Sequence, residues 1–119
     1  MSLLWVADPC YVGVRNVEAA VVWYTEKLGL VKTKDMDEAA GCIGLTFPNE
    51  IPAPIILCPT SPARGRPTPM FYTGNIEKAR ALLDSRNVSV GIIETDRQGT
   101  HYFEMHDLEG NVLEVGEEP

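Results

Sequence analysis

Asn16-Val17-Glu18-Ala19-Ala20 and Asn75-Ile76-Glu77-Lys78-Ala79 are one phrase written twice, at a shift of 59 in a chain of 119 residues. The pattern outlasts the letters: Val17, Ala20 and Tyr24 fall at i, i+3 and i+7, and Ile76, Ala79 and Leu83 repeat that spacing. Such spacing puts apolar groups on one side of an α-helix, so it predicts two amphipathic helices, at about Val17 to Leu28 and Ile76 to Ser85. Each opens on an Asn whose side chain can accept from the orphan amides of the first turn, followed by a Glu that suits the positive end of the helix. Gly29 and Asn87 stand where the helices should stop, and both residue types tolerate the left-handed conformation that ends many helices.

Working outward, each helix is preceded by one strand-like run, about Cys10 to Val14 and Met70 to Thr73, and followed by three. The three are about Leu30 to Met36, Cys42 to Phe47 and Ile55 to Cys58 in the first half, and Val88 to Thr95, Thr100 to His106 and Val112 to Val115 in the second. Asp96-Arg97-Gln98-Gly99 and Leu108-Glu109-Gly110-Asn111 supply turn chemistry between them. Pro59 to Pro67 holds three prolines and a glycine, cannot continue a strand, and reads as a linker. The expectation is therefore one α+β domain of two βαβββ modules in tandem, related by a pseudo-twofold axis. Module one covers about 8–58, the linker about 59–67 and module two about 68–116. One helix cannot cover both faces of a four-stranded sheet, so two such sheets are expected to curve together and leave a cleft.

Composition narrows the partners. A hydrophobic content of 45% in 119 residues supports one core. No stretch reaches the roughly 20 apolar residues of a membrane helix, and the N-terminus lacks a signal-like basic and apolar pattern, so a cytoplasmic protein with no membrane partner is expected. Ten basic against 17 acidic residues give a net charge of -7, which repels nucleic acid. Cys10, Cys42 and Cys58 are odd in number and lack C-x-x-C spacing, so they read as free thiols in a reducing compartment.

Two segments carry a family resemblance. Val14-Arg15-Asn16-Val17-Glu18-Ala19-Ala20-Val21-Val22-Trp23-Tyr24-Thr25-Glu26-Lys27-Leu28-Gly29-Leu30 resembles the opening signature of the vicinal oxygen chelate superfamily, the glyoxalase, bleomycin-resistance and extradiol-dioxygenase group. Met105-His106-Asp107-Leu108-Glu109-Gly110-Asn111-Val112-Leu113-Glu114-Val115 resembles its closing one. The resemblance implies a glyoxalase-like fold, and a homodimer in which module one of one chain and module two of the other share each cleft. Metal-dependent members hold a divalent ion with ligands on the first and last strands of each module. Here those positions fall on about Pro9, Thr68, Ile56 or Leu57, and Glu114, of which only Glu114 suits a metal that needs about three protein ligands. No metal or other cofactor is therefore expected; Glu104, His106 and Glu114 form the alternative, displaced metal set.

Alternation along Thr100 to His106 sends Phe103 and Met105 toward the second helix and leaves Tyr102, Glu104 and His106 on the face where Glu114 is also expected. His101, one residue out of phase with them, reads as exposed. The same reasoning turns Ile43, Leu45 and Phe47 to the first helix and Cys42 and Thr46 to the cleft. The candidate ligand-binding residues are thus Cys42, Thr46, Tyr102, Glu104, His106 and Glu114, with Glu104 and Glu114 as candidate catalytic carboxylates. The competing reading of these residues is a polar strand face that simply meets water. Two functions compete: a metal-free small-molecule-binding protein like the bleomycin-resistance members, or a lyase, isomerase or dioxygenase of the glyoxalase type. The enzyme would use a displaced metal or a carboxylate base whose pKa a partly apolar cleft raises.

Overall fold

The computed structural model describes residues 4–33, 41–48, 55–59 and 68–118. In chain order these form β1 (Leu4–Trp5), β2 (Cys10–Val14), α1 (Val17–Leu28), β3 (Val31–Lys32), β4 (Ile43–Thr46) and β5 (Ile55–Pro59). Then come β6 (Met70–Thr73), α2 (Ile76–Ser85), β7 (Ser89–Val90), β8 (Glu94–Thr95), β9 (His101–His106) and β10 (Val112–Glu117).

Both helices form for the reasons written at their starts. Oδ1 of Asn16 accepts from the Ala19 amide at 3.0 Å, and Oδ1 of Asn75 accepts from the Lys78 amide at 3.1 Å. At the ends, Gly29 has φ 79° and Asn87 φ 63°. The buried residues of α1 are Ala20, Val21, Tyr24 and Leu28, and those of α2 are Ile76, Ala79 and Leu83.

One sheet runs in the order β2-β5-β4-β3 and the other β1-β6-β10-β9-β7, with β8 also on β9. In each, the strand before the helix lies parallel to the last strand of its module, β2 beside β5 and β6 beside β10, while the neighbouring hairpin strands are antiparallel. Each module is thus strand, helix and returning strands, and the α+β fold of two tandem modules holds. The helix-covered faces of both sheets feed one continuous core, in which Phe47, the residue after β4, meets Phe71 of β6 edge-on at 6.1 Å between ring centres. Fully burying each such side chain contributes about 1.5–3 kcal/mol, so this core holds the modules together.

Four details depart from the sequence reading. A short strand, β1, pairs antiparallel with β6 and extends the module-two sheet from the N-terminus. The run Val88 to Thr95 is divided into β7 and β8: between the pairs Val90–Met105 and Glu94–Tyr102, residues 91–93 lie against only 103 and 104 of β9, a one-residue bulge that follows Gly91, whose amide still donates to the Glu104 carbonyl at 2.7 Å. Strand β5 runs through Pro59, the first linker residue; residues 60–67 of the linker, and 34–36 of the strand expected after α1, lie outside the described residues. Finally, Cys42 and Cys58 are joined in a disulfide, leaving Cys10 as the free thiol. The register explains the pair, for Ile43 lies opposite Leu57 and the next step brings Cys42 opposite Cys58, with Cα atoms 4.3 Å apart. This corrects the expectation of three free thiols and removes the ground for a reducing compartment.

Candidate functional site

Residues directly opposite in a ladder share a face. In the module-two sheet Phe103, Met105, Leu113, Val115 and Phe71 are fully buried under α2, so the alternate positions point the other way. Glu104 lies opposite Glu114, which lies opposite Met70. Two residues along, Tyr102, Gly116, Tyr72 and Trp5 form a row across four strands, continued by Glu94. In the other direction Val112, His106 and Ser89 form a third row. Tyr102, Glu104, His106 and Glu114 therefore share one helix-free face, with Glu104 and His106 exposed and Tyr102 and Glu114 half-buried. His101 is exposed on the opposite parity, its Nδ1 2.9 Å from the Thr95 hydroxyl.

This face is electrostatically one-sided. Partial burial, and then the charges of Glu104 and Asp96, raise the pKa of Glu114 from its ordinary value. The Tyr102 hydroxyl is raised as well, first by the charge of Glu94 and next by desolvation and Glu114. Groups that hold protons more tightly than usual, gathered on a sheet with acidic neighbours, can accept a positively charged or hydrogen-bonding ligand.

Cys42 and Thr46 lie on the helix-free face of the other sheet, with Ile56 and Val31. Residues of one ladder do not join these two to the other four, and the Cys42 sulfur is tied to Cys58. A cavity of about 320 Å³ opens at the end of the module-two face, lined by Trp5, Ala7, Tyr72, Thr100, Glu117 and Glu118. None of the six candidate residues lines it. Sequence reasoning missed Trp5 and Tyr72 because their juxtaposition depends on β1, a strand of two residues.

The donor chemistry at the positions that could hold a divalent ion is poor. Pro9 and Thr68 precede their strands, and Ile56 occupies in β5 the register that Glu114 occupies in β10, since Ile56 lies opposite Tyr11 as Glu114 lies opposite Met70. Among the described residues, no three His, Cys, Asp or Glu side chains come together closely enough to hold a metal ion. The usual four positions therefore do not fit a metal.

The face is held in place from behind by a polar seam between the modules. The buried Tyr24 hydroxyl donates to Oδ2 of Asp107 at 2.7 Å, and Oδ1 of Asp107 accepts from the Glu109 and Asn111 amides at 2.9 Å each. Glu109 accepts from the amides of Arg15 and Asn16, which lowers its pKa, and Asn111 Nδ2 donates to the Gly13 carbonyl at 3.1 Å. Lys27 and Arg86, equivalent under the repeat, each donate to the other's carbonyl, at 2.6 and 2.9 Å. Tyr24 lies in the core with Trp23 packed against it, and its hydroxyl also fixes the turn that carries His106 of β9 into β10.

A family model described as Glyoxalase/Bleomycin resistance protein/Dioxygenase superfamily matches residues 3–115. No curated protein matches the sequence significantly. Among solved structures, an integron cassette protein from the mobile metagenome of a Halifax Harbour sewage outfall is similar, with TM-score 0.79, 22% identity and coverage of 93% of this chain and 97% of that one. A superfamily member from Sphaerobacter thermophilus gives 0.73, 21%, 95% and 98%. A lactoylglutathione lyase from Agrobacterium tumefaciens gives 0.70, 16%, 94% and 92%. At these identities the likeness is one of fold.

Proposed function

We propose that this chain, which belongs to the Glyoxalase/Bleomycin resistance protein/Dioxygenase superfamily, binds a small organic molecule on the helix-free face of module two without a metal. The observation that carries this reading is the phase of β9 and β10, which sets Tyr102, Glu104, His106 and Glu114 on one uncovered face. The opposite face of β9 and β10 is apolar and buried, so this polarity is built into the strands. A ligand would meet Tyr102 and the paired carboxylates first. A second copy of the chain would then supply the module-one face, where Thr46, Ile56 and the disulfide lie and where Tyr11 and Val31 remain 56% and 45% exposed.

The raised pKa of Glu114 favours a second reading. In it the same face performs a metal-free lyase or isomerase reaction: Glu114, its pKa raised by partial burial and then by Glu104 and Asp96, takes a proton from one atom of the bound substrate and returns it to another or to the leaving group.

Metal analysis and binding measurements on purified protein test the first reading. Metal should be substoichiometric, chelation should leave Tm unchanged, and a co-purified or screened ligand should bind more weakly to Glu104→Gln. Stoichiometric iron, manganese, nickel or zinc, whose removal lowers Tm by several degrees and whose return restores it, would sink this reading. Turnover abolished in Glu114→Gln with binding retained would select the enzyme.

A further inference from the structure

We infer that the end of the module-two face formed by Trp5, Ala7, Tyr72, Thr100 and Glu118 is a subsite for an organic cation, an ammonium whose nitrogen carries apolar groups. The inference rests on the reading of that face as the binding face.

Trp5 and Tyr72 are directly opposite on β1 and β6, which places their Cβ atoms about 5 Å apart on one side of the sheet. They form two adjoining aromatic surfaces. Ala7, a small side chain, and Thr100 and Glu118 complete the cavity, whose volume of about 320 Å³ lies within the range of ligand pockets. Beside Tyr72 the row continues into Gly116, where a Cβ would stand 3.6 Å from Met70 Cε and 4.0 Å from Tyr72 Cδ1. Gly116 is itself buried, with the Met70 and Tyr72 side chains over it, and Tyr102 and Glu94 lie beyond it on the same row.

The charge of the lining selects the ligand. Its titratable groups are Glu117, Glu118 and Tyr72, and it contains neither Lys nor Arg. Glu117 is engaged, accepting from the Ile76 amide at 2.9 Å, whereas Glu118 is exposed. Aromatic faces carry negative quadrupoles and attract a cation over the ring; a carboxylate at the rim adds to the attraction and repels anions. In a chain of net charge -7 the surrounding field has the same sign. A neutral apolar molecule would gain the burial but forgo these charge interactions. A second cavity, about 200 Å³ between the helix ends, is lined by Leu28, Phe47, Leu82, Leu83 and Arg86 among others, and offers a cation nothing.

The probe is benzyltrimethylammonium chloride, titrated at constant ionic strength into isotopically labelled protein and followed by amide and indole NMR shifts. 3,3-Dimethyl-1-butanol is the neutral control and benzoate the anionic one. Saturable shifts centred on Trp5, Ala7, Tyr72, Thr100 and Glu118 are expected, with the cation binding more tightly than either control. Trp5→Leu or Glu118→Gln should weaken it roughly 3- to 30-fold, while thermal unfolding confirms that each variant is folded. Equal binding of cation and neutral control, or cation shifts confined to other surfaces, would overturn the inference. If instead only neutral or anionic compounds shift Tyr102, Glu104 and Glu114, the cation subsite is wrong and the binding face stands. If no compound of any charge perturbs the face, both are wrong.

Discussion

The Tyr24 hydroxyl donates a 2.7 Å hydrogen bond to Oδ2 of Asp107, 83 residues further along the chain, and both partners are buried. The bond couples the middle of α1 to the turn between β9 and β10, so it ties module one to the strands that carry the candidate face. Tyr24→Phe removes the donor and leaves a buried carboxylate with one partner fewer. The expected loss is about 1.5–3 kcal/mol in chemical denaturation. A loss below about 0.5 kcal/mol would show that the seam contributes little.

The same residue gives an alkaline signature. Burial first, then the charge of Asp107, holds the Tyr24 hydroxyl well above its ordinary value, so the folded state keeps a proton that the unfolded chain releases from about pH 10 upward. The stability tied to that proton is present below this pH and is lost as pH rises. Wild-type stability should therefore fall faster than that of Tyr24→Phe above about pH 10. Parallel pH curves would contradict the assignment.

Glu114 should give the acid-side counterpart. Its pKa is raised in the folded state, chiefly by partial burial and then by Glu104 and Asp96, so the folded chain binds its proton more tightly than the unfolded chain. The stability this confers is present below the ordinary carboxylate pKa and disappears as pH rises through the raised value. Glu114→Gln should consequently be more stable than wild type at neutral pH and equal to it in acid. A variant less stable than wild type at neutral pH would mean that the charged carboxylate is paired rather than repelled.

How much of this was legible in the sequence follows from the range of the signals. The caps and stripes of α1 and α2 are local, and the predicted helices match the observed Val17–Leu28 and Ile76–Ser85. Alternation in β9 is equally local, and it sets Phe103 and Met105 under α2 with Glu104 and His106 outside. Long-range register is a different matter. The Cys42–Cys58 bond exists because Ile43 faces Leu57, which neither hydrophobic run states by itself. Strand β1 and the Trp5–Tyr72 corner depend on a pairing across most of the chain. The break between β7 and β8 is a one-residue shift of register against β9, between Val90–Met105 and Glu94–Tyr102, which no periodicity carries.

The cross-link is open to direct measurement. Under denaturing, non-reducing conditions one thiol should titrate, Cys10, and three after reduction. The bond joins residues 16 apart, and closing a loop of that size stabilises by about 3 kcal/mol through the unfolded chain. Reduction should lower Tm accordingly, and Cys42→Ser with Cys58→Ser should reproduce the reduced value. Three titrating thiols before reduction would refute the bond.

Glu104→Gln is the sharpest test of the candidate face, because Glu104 stands opposite Glu114 and is exposed, so its removal leaves no buried group unpaired. Folding stability should change by no more than about 0.5 kcal/mol. The neutral amide withdraws a charge that helps raise Glu114, so the Glu114 carboxyl should titrate at lower pH in the variant, as followed by carbon NMR of its side chain. A ligand held by the paired carboxylates should bind roughly tenfold more weakly, a change of about 1.4 kcal/mol. The two readouts separate the possibilities. A lowered Glu114 pKa with unchanged affinity would keep the electrostatic coupling and remove the ligand from this pair. Lowered affinity with an unmoved Glu114 would mean that Glu104 contacts the ligand by itself. Only the joint response makes the opposed carboxylates of β9 and β10 one recognition element, and the absence of both would reduce the face to a solvated sheet surface.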